Sequence, residues 1–227
     1  MSKLDLEQWR DHVPALMGSR SSYAVLVPVM CEPGKEPTIL FETRARPLRH
    51  QPGEVCFPGG RREGHESYEE SALRETWEEL GIPASAIEVV GQLDFLNHSR
   101  GFLVYPILGK VTGRGIHWDH VNADEVAEVF EVPVSFFVEN EPLVWTYPLV
   151  PQFPEDFPFE LLEVPRDKPW RERSMDVPVY LYEGHVIWGL TARILRHLFG
   201  KYHICPAAPF VAGLFCGTML EQKGGGV

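Results

Sequence analysis

The chain is short of cations, of cysteines and of long apolar runs, and each shortage excludes something. Its 227 residues carry 21 Lys and Arg against 32 Asp and Glu, a formal net charge of −11. Such a chain lacks the basic face that broad nucleic-acid binding needs. Bulk charge would also repel a polyanionic substrate, so local cation clusters or metal ions must hold one. The four cysteines, Cys31, Cys56, Cys205 and Cys216, show no C-x-x-C spacing and have no neighbouring histidine to complete a zinc pattern. Reduced, packed thiols are expected rather than a disulfide framework. No run approaches the ~20 apolar residues of a membrane span. The start, Met1-Ser2-Lys3-Leu4-Asp5-Leu6, carries acids early and no apolar segment, unlike a secretory signal. These absences predict a cytoplasmic protein with neither a membrane nor a nucleic-acid partner.

What is present reads as globular: 44% hydrophobic and 23% charged residues. The length suits one domain with a substantial core. Residues 4–17 suit a short amphipathic helix, with Leu4, Trp9, Val13 and Leu16 on one face. Strands are expected at 22–30, 37–43, 86–95 and 102–112, a long Arg/Gly/Pro loop at 44–65, and helices at 67–80, 122–130 and 186–199. Residues 139–183 are rich in prolines and aromatics, which predicts short strands and ordered loops. That stretch is either a packed surface insertion or a wall for an apolar part of a substrate. Strands interspersed with helices point to one α/β domain.

The helix at 67–80 has marked ends. Ser67 and Glu70 form the S-x-x-E capping pattern, and Gly81 with Pro83 stops the helix. Ala72, Leu73, Thr76, Trp77 and Leu80 fall on one face, fit to pack on a sheet. Glu75, Glu78 and Glu79 fall on the other. Three neighbouring carboxylates are either a solvated acidic face or a site for a hard cation such as Mg²⁺ or Mn²⁺.

The preceding loop distinguishes these. From Gly60 the sequence runs G-x5-E-x7-R-E-T-W-E-E-L-G-I, ending at Ile82. It resembles the box of the Nudix hydrolases, matching at Gly60, Glu66, Arg74, Glu75, Glu78, Glu79 and Gly81, with Thr76 where a bulky apolar residue is usual. The resemblance implies an α/β/α sandwich with a mixed β-sheet, and hydrolysis of a nucleoside diphosphate linked to another group. It assigns Mg²⁺ or Mn²⁺ to Glu75, Glu78, Glu79 and the Gly59 carbonyl, with Glu66 in support and Arg74 orienting the carboxylates. Catalytic roles fall to Glu75, Glu78 and Arg74, and the general base is Glu75 or, less simply, Glu125.

A second motif adjoins the box: Arg44-Ala45-x3-Arg49-x3-Gly53, then Phe57-Pro58-Gly59-Gly60. It resembles the signature of the coenzyme A diphosphatase branch, with Glu42 where threonine is usual. The residues agree: arginines 44, 46, 49, 61 and 62 face only Glu54 among the acids of residues 44–62. Arginine forks suit phosphate oxygens. Arg44, Arg49, Arg61, Arg62 and Gly60 are therefore the substrate-binding candidates, and CoA or acyl-CoA the expected substrate. ADP-ribose or a dinucleoside polyphosphate is the alternative, and a non-catalytic sensor a further one. The expected organisation is a lead-in at 1–21, a Nudix domain at 22–200 with the box at 60–82 and an insertion at 139–183, and a C-terminal segment with a flexible tail at 201–227. Oligomeric state is left open, a homodimer included.

Overall fold

Ser21–Met30, an almost unbroken apolar run, is strand β1 in the computed structural model, which describes residues 10, 17–18, 21–98, 100–112, 116, 118–166 and 173–200. In chain order there follow β2 (Thr38–Arg44), β3 (Val55–Cys56), β4 (Gly59–Arg61), α1 (Tyr68–Leu80), β5 (Ile87–Gln92), β6 (Leu96–His98) and β7 (Phe102–Val111). Next come β8 (Val126–Pro133), α2 (Val134–Glu139), β9 (Leu143–Leu149), β10 (Arg173–Tyr182), β11 (His185–Trp188) and α3 (Gly189–Phe199). The chain gathers into two compact units. Unit 1 takes the described residues up to Glu32 together with Phe57–Val126, and unit 2 takes Pro33–Cys56 with the described residues from Ala127 onward.

In unit 1, β1 runs parallel to β7 over their whole length, from Ser21 opposite Phe102 to Met30 opposite Val111. On its other side β1 pairs antiparallel with β4, Ala24 opposite Gly60. Strands β5 and β6 pair antiparallel with β7. The sheet is therefore mixed and the architecture α/β, as expected. Parallel strands covered on both faces read as continuous apolar runs, and Ala24, Leu26, Val27, Ile107 and Leu108 are buried. Helix α1 packs over β1, β4 and β7.

In unit 2, β2 and β3 pair antiparallel, Glu42 opposite Cys56, and β8 pairs with β2. Strands β11, β10 and β9 form a second, antiparallel sheet. The fully buried Phe41 stacks on Phe130 at 5.5 Å between ring centroids, and Phe137 stacks on Phe199 at the same distance. Helix α3 buries Ile194 and Leu195, and its Thr191 hydroxyl donates to the Val55 carbonyl at 3.1 Å. The proline-rich stretch holds two strands, β9 and β10, and a small cluster of Phe153, Phe157 and Phe159.

Several expectations are corrected. The 44–65 loop contains β3 and β4, strands of two and three residues, too short to leave a periodic signal. Residues 122–130 are not a helix. Asn122 Oδ1 accepts the Asp124 N–H and the Asn122 carbonyl accepts those of Glu125 and Val126, so a turn leads into β8. Local bonds of this kind compete with helix, and Val126, Val129 and Phe130 favour strand. The 186–199 segment splits at Gly189, where φ is +65°, into β11 and α3. Apart from residues 10 and 17, the helix expected at 4–17 lies outside the described residues, as do the tail 201–227, Cys205 and Cys216. Cys56 Sγ donates to the Glu42 carboxylate at 3.3 Å. No helix among the described residues is long and apolar enough to cross a membrane.

Candidate active site

The capping pattern forms in full. The Ser67 hydroxyl accepts the Glu70 N–H at 3.1 Å, and the Glu70 carboxylate accepts the Ser67 N–H at 2.7 Å. At the other end Gly81 takes the left-handed conformation, φ +67°, and donates to the Trp77 carbonyl. The faces of α1 differ from the helical-wheel expectation. Ala72, Thr76 and Leu80 are buried, but Trp77 is 47% exposed and Glu79 only 3%. Glu79 is drawn inward by the Gly59 N–H, which donates to its carboxylate at 2.8 Å. Thr76 is tolerated where an apolar residue is usual because its hydroxyl donates back to the Ala72 carbonyl at 2.7 Å.

Arg74 is the hub of the exposed side. Its guanidinium reaches Glu66 at 3.1 Å, Glu75 at 2.9 Å and Glu78 at 3.0 Å, and donates to the Arg61 carbonyl at 3.3 Å. Glu75 and Glu78 share one nitrogen, Nη1, and so lie within two hydrogen-bond lengths of one another. The two best-placed acids are tuned in opposite directions. The Arg74 hydrogen bond, helped by the Glu63 backbone N–H, holds the Glu66 carboxyl down at about 2. Burial pushes Glu75 above its ordinary value. Arg74 opposes that shift, while the charges of Glu78 and Glu125 add to it. Glu66, then Glu75, raise Arg74 further above its usual pKa.

The two glycines are required by space. A Cβ on Gly59 would collide with the backbone of Ala24 and Val25, and one on Gly60 with the Glu75 carboxylate. Arg62 donates through Nε to the Glu66 carbonyl at 2.5 Å, and its guanidinium lies 5.1 Å from the centre of the Tyr68 ring. Tyr68 in turn stacks on Tyr105 at 3.6 Å. Neither tyrosine figured among the sequence candidates; an aromatic at the first helical position, six residues after Arg62, was the signal available.

The structure thus brings together Gly59, Gly60, Arg61, Arg62, Glu66, Arg74, Glu75, Glu78 and Glu79 in unit 1, with Glu125 in electrostatic reach of Glu75. Arg44 and Arg49 belong to unit 2, where Arg44 donates to the His50 carbonyl at 3.3 Å and Arg49 is exposed. Among the described residues no three His, Cys, Asp or Glu side chains converge as a ready metal-binding group. The donor set still fits a hard divalent cation. It consists of carboxylate oxygens on one turn, one of them on a Glu75 that burial makes costly to ionise and that packs directly over Gly60.

Comparison with known proteins was made against this geometry. Residues 21–148 match the NUDIX domain family model. The uncharacterized Nudix hydrolase NudL of Yersinia enterocolitica is 36% identical over 208 residues, 90% of this chain and 92% of its own length. Its counterpart in Yersinia pestis is 39% identical over 178 residues, covering 77% and 76%. Among solved structures, the Nudix hydrolase RenU from M. smegmatis is similar with a TM-score of 0.44 at 26% identity, over 52% of this chain and 73% of its own. The NUDIX domain of Shewanella oneidensis NrtR, complexed with ADP ribose, gives 0.43 at 16% identity, over 60% and 88%.

Proposed function

This chain belongs to the Nudix hydrolase family, and we propose that within it the chain is a diphosphatase of coenzyme A or acyl-CoA. The coarser statement stands on the comparisons: it is a Nudix hydrolase of a nucleoside diphosphate derivative. The observation that carries the finer reading is the arginine-rich motif, Arg44 through Gly60, in a chain of net charge −11. A substrate with a diphosphate and a ribose 3′-phosphate needs several guanidinium forks, and Arg44, Arg49, Arg61 and Arg62 are assigned to it.

In the proposed reaction water attacks a phosphorus of the diphosphate, the bond to the bridging oxygen breaks, and 3′,5′-ADP and (acyl-)4′-phosphopantetheine leave. Glu75 takes the proton of the attacking water, and burial, by raising its pKa above the ordinary carboxylate value, strengthens it as a base. A bound Mg²⁺ or Mn²⁺, held by Glu75, Glu78, Glu79 and the Gly59 carbonyl with Glu66 in support, supplies charge neutralisation and water activation. Arg74 keeps Glu66, Glu75 and Glu78 aligned. Gly60 leaves the Glu75 carboxylate room at the loop. Glu125 tunes Glu75 through its charge or replaces it as base. The full set of box carboxylates favours an enzyme over a sensor. We take 22–200 as the catalytic domain with an insertion at 139–183, and a cytoplasmic setting as the one suited to four cysteines without C-x-x-C spacing.

The test is a substrate panel with the purified protein and Mg²⁺ or Mn²⁺: CoA, acyl-CoA, 3′-dephospho-CoA, ADP-ribose and dinucleoside polyphosphates, with products identified by mass. Release of 3′,5′-ADP from CoA, faster than cleavage of the dephospho compound, is expected. Consumption of ADP-ribose or a dinucleotide at least about tenfold faster would overturn the CoA assignment and leave the hydrolase class standing.

A further inference from the structure

Unit 2 carries a sheet with one face covered over Pro178, Tyr180 and Ile187 and the other bare, its β9 strand exposed on both sides. In β9–β11 the residues Asp176, Tyr180 and Ile187 face α3 and α2: Arg196 of α3 pairs with Asp176 at 3.0 Å, and Phe136 and Phe137 of α2 pack edge-on against Tyr180. The register places the alternate residues on the opposite side, Leu143 and Trp188 flanking Val179, Trp145 opposite Val177, Tyr147 opposite Met175 and Val186 opposite Leu181. Every one is apolar or aromatic, and Arg173, opposite Leu149 at the end of the same row, is its one charged position. Six of them are large and open: Trp145 is 59% exposed, Leu181 57%, and Leu143, Tyr147, Val186 and Trp188 between 43% and 52%. Isolated exposed apolar residues need no explanation, but a contiguous patch of this size marks an interaction surface.

We propose that this face is a dimer interface, on which a second copy of the chain packs sheet to sheet about a two-fold axis. Three observations select that occupant. First, the area is right. Given the exposures above and full side-chain surfaces of roughly 150–250 Å² for the larger rings, the six open residues present on the order of 600 Å² per copy. A pair would bury about 1,200 Å², at the lower edge of the ~1,200–2,000 Å² of stable interfaces. Second, the composition is that of an interface core, with Trp145, Trp188, Tyr147 and Met175 and no Lys, Asp or Glu. Third, two copies of a chain with net charge −11 repel one another almost everywhere, and a face whose strand rows hold no acid lets them meet without opposing carboxylates. Face-to-face packing is preferred to pairing at the β9 edge. An antiparallel edge pair about a two-fold would put both bare faces on the same side and double the exposed apolar area instead of burying it.

Sedimentation velocity on the full chain, from about 1 to 50 µM, tests this. The expected particle has twice the 25.8 kDa of one chain. Trp145→Lys and Leu181→Lys, each checked for an unchanged far-UV circular dichroism spectrum, should weaken dimerisation by at least about 100-fold. Val144→Lys, on the neighbouring position of β9 but the other face, should leave the dimer intact. If Trp145→Lys does not fold, Trp145→Ser serves in its place. A chain that stays at 25.8 kDa throughout the range overturns the proposal. So does a dimer that survives both lysines, or one that Val144→Lys breaks equally. A monomer whose bare face is quenched by lipid vesicles would assign the face to a membrane surface and also overturn it.

Discussion

Around Arg74 in unit 1 three carboxylates crowd one guanidinium, whereas in unit 2 the open side of β9–β11 carries no acid and only Arg173 among cations, at its end. The first region is rich in directional polar contacts; the second is apolar and largely exposed. Helix α1 is held to its sheet by small buried residues, Ser71, Ala72 and Thr76, and the box loop by the carboxylate of Glu79 on the Gly59 N–H. Its charged side chains Glu75 and Glu78 meet Arg74 instead of the sheet. In unit 2 the stabilising contacts are apolar and lie on the covered side, at Tyr180, Ile187 and Leu195. Changes near Arg74 should therefore cost turnover while sparing the fold, and changes beneath α3 should do the opposite.

The largest effect is expected at Glu75. Glu75→Gln keeps the shape but removes a base and a ligand charge, and kcat should fall about 10²–10⁴-fold with the circular dichroism spectrum unchanged. Steady-state kinetics with saturating Mg²⁺ decide it, and a loss under about tenfold would remove Glu75 from the chemistry. Gly60→Ala should cost on the order of 10²-fold, because the new methyl must displace the Glu75 carboxylate. Its effect should be small when combined with Glu75→Gln, since both act on the same group; additive losses would contradict the shared cause.

The reverse behaviour belongs to α3. Leu195 is fully buried, and Leu195→Ala should destabilise by about 2–5 kcal/mol in chemical denaturation. Leu161, 82% exposed, should tolerate alanine within about 0.5 kcal/mol. Equal losses at the two sites would mean that burial is not what separates them.

Motif spacing explains why the site was more legible than the fold around it. The caps of α1, its length and the grouping of Glu66, Arg74, Glu75 and Glu78 follow from local rules of sequence distance. What the helical wheel could not give was the depth of each side chain. Glu79 looks equivalent to Glu78 on the wheel, yet one is buried against the Gly59 N–H and the other is exposed, because a loop twenty residues earlier supplies the donor. Likewise nothing local tells that Val186 to Trp188 pair with β10 before the chain turns helical at Gly189. The aromatic content of 139–183 is visible in the sequence; placing Trp145 and Tyr147 on the open face and Tyr180 on the covered one requires the register of strands separated by twenty-three residues.

The smallest predicted effect contrasts Glu66 with Glu75. Glu66 has a folded-state pKa of about 2, below its unfolded value of 4.5, so the stability it contributes is present above pH 4.5 and is lost as pH falls through about 2. For Glu75 the folded value is raised, so its contribution favours the fold below pH 4.5 and is lost as pH rises through the folded value. In chelator at neutral pH an ionised Glu75 is therefore a net cost, and Glu75→Gln should melt higher than the native chain, by roughly 2–4 °C for each kcal/mol relieved. Glu66→Gln should melt lower at pH 7, with the gap closing as the pH approaches about 2. Adding Mg²⁺ should raise the melting temperature of the native chain but much less that of Glu75→Gln, because only the carboxylate gains from a cation beside it. Thermal melts of the three proteins with chelator and with Mg²⁺ read this directly. If Glu75→Gln melts below the native chain in chelator, the burial cost assigned to Glu75 is wrong, and Arg74 is its stabilising partner at every pH.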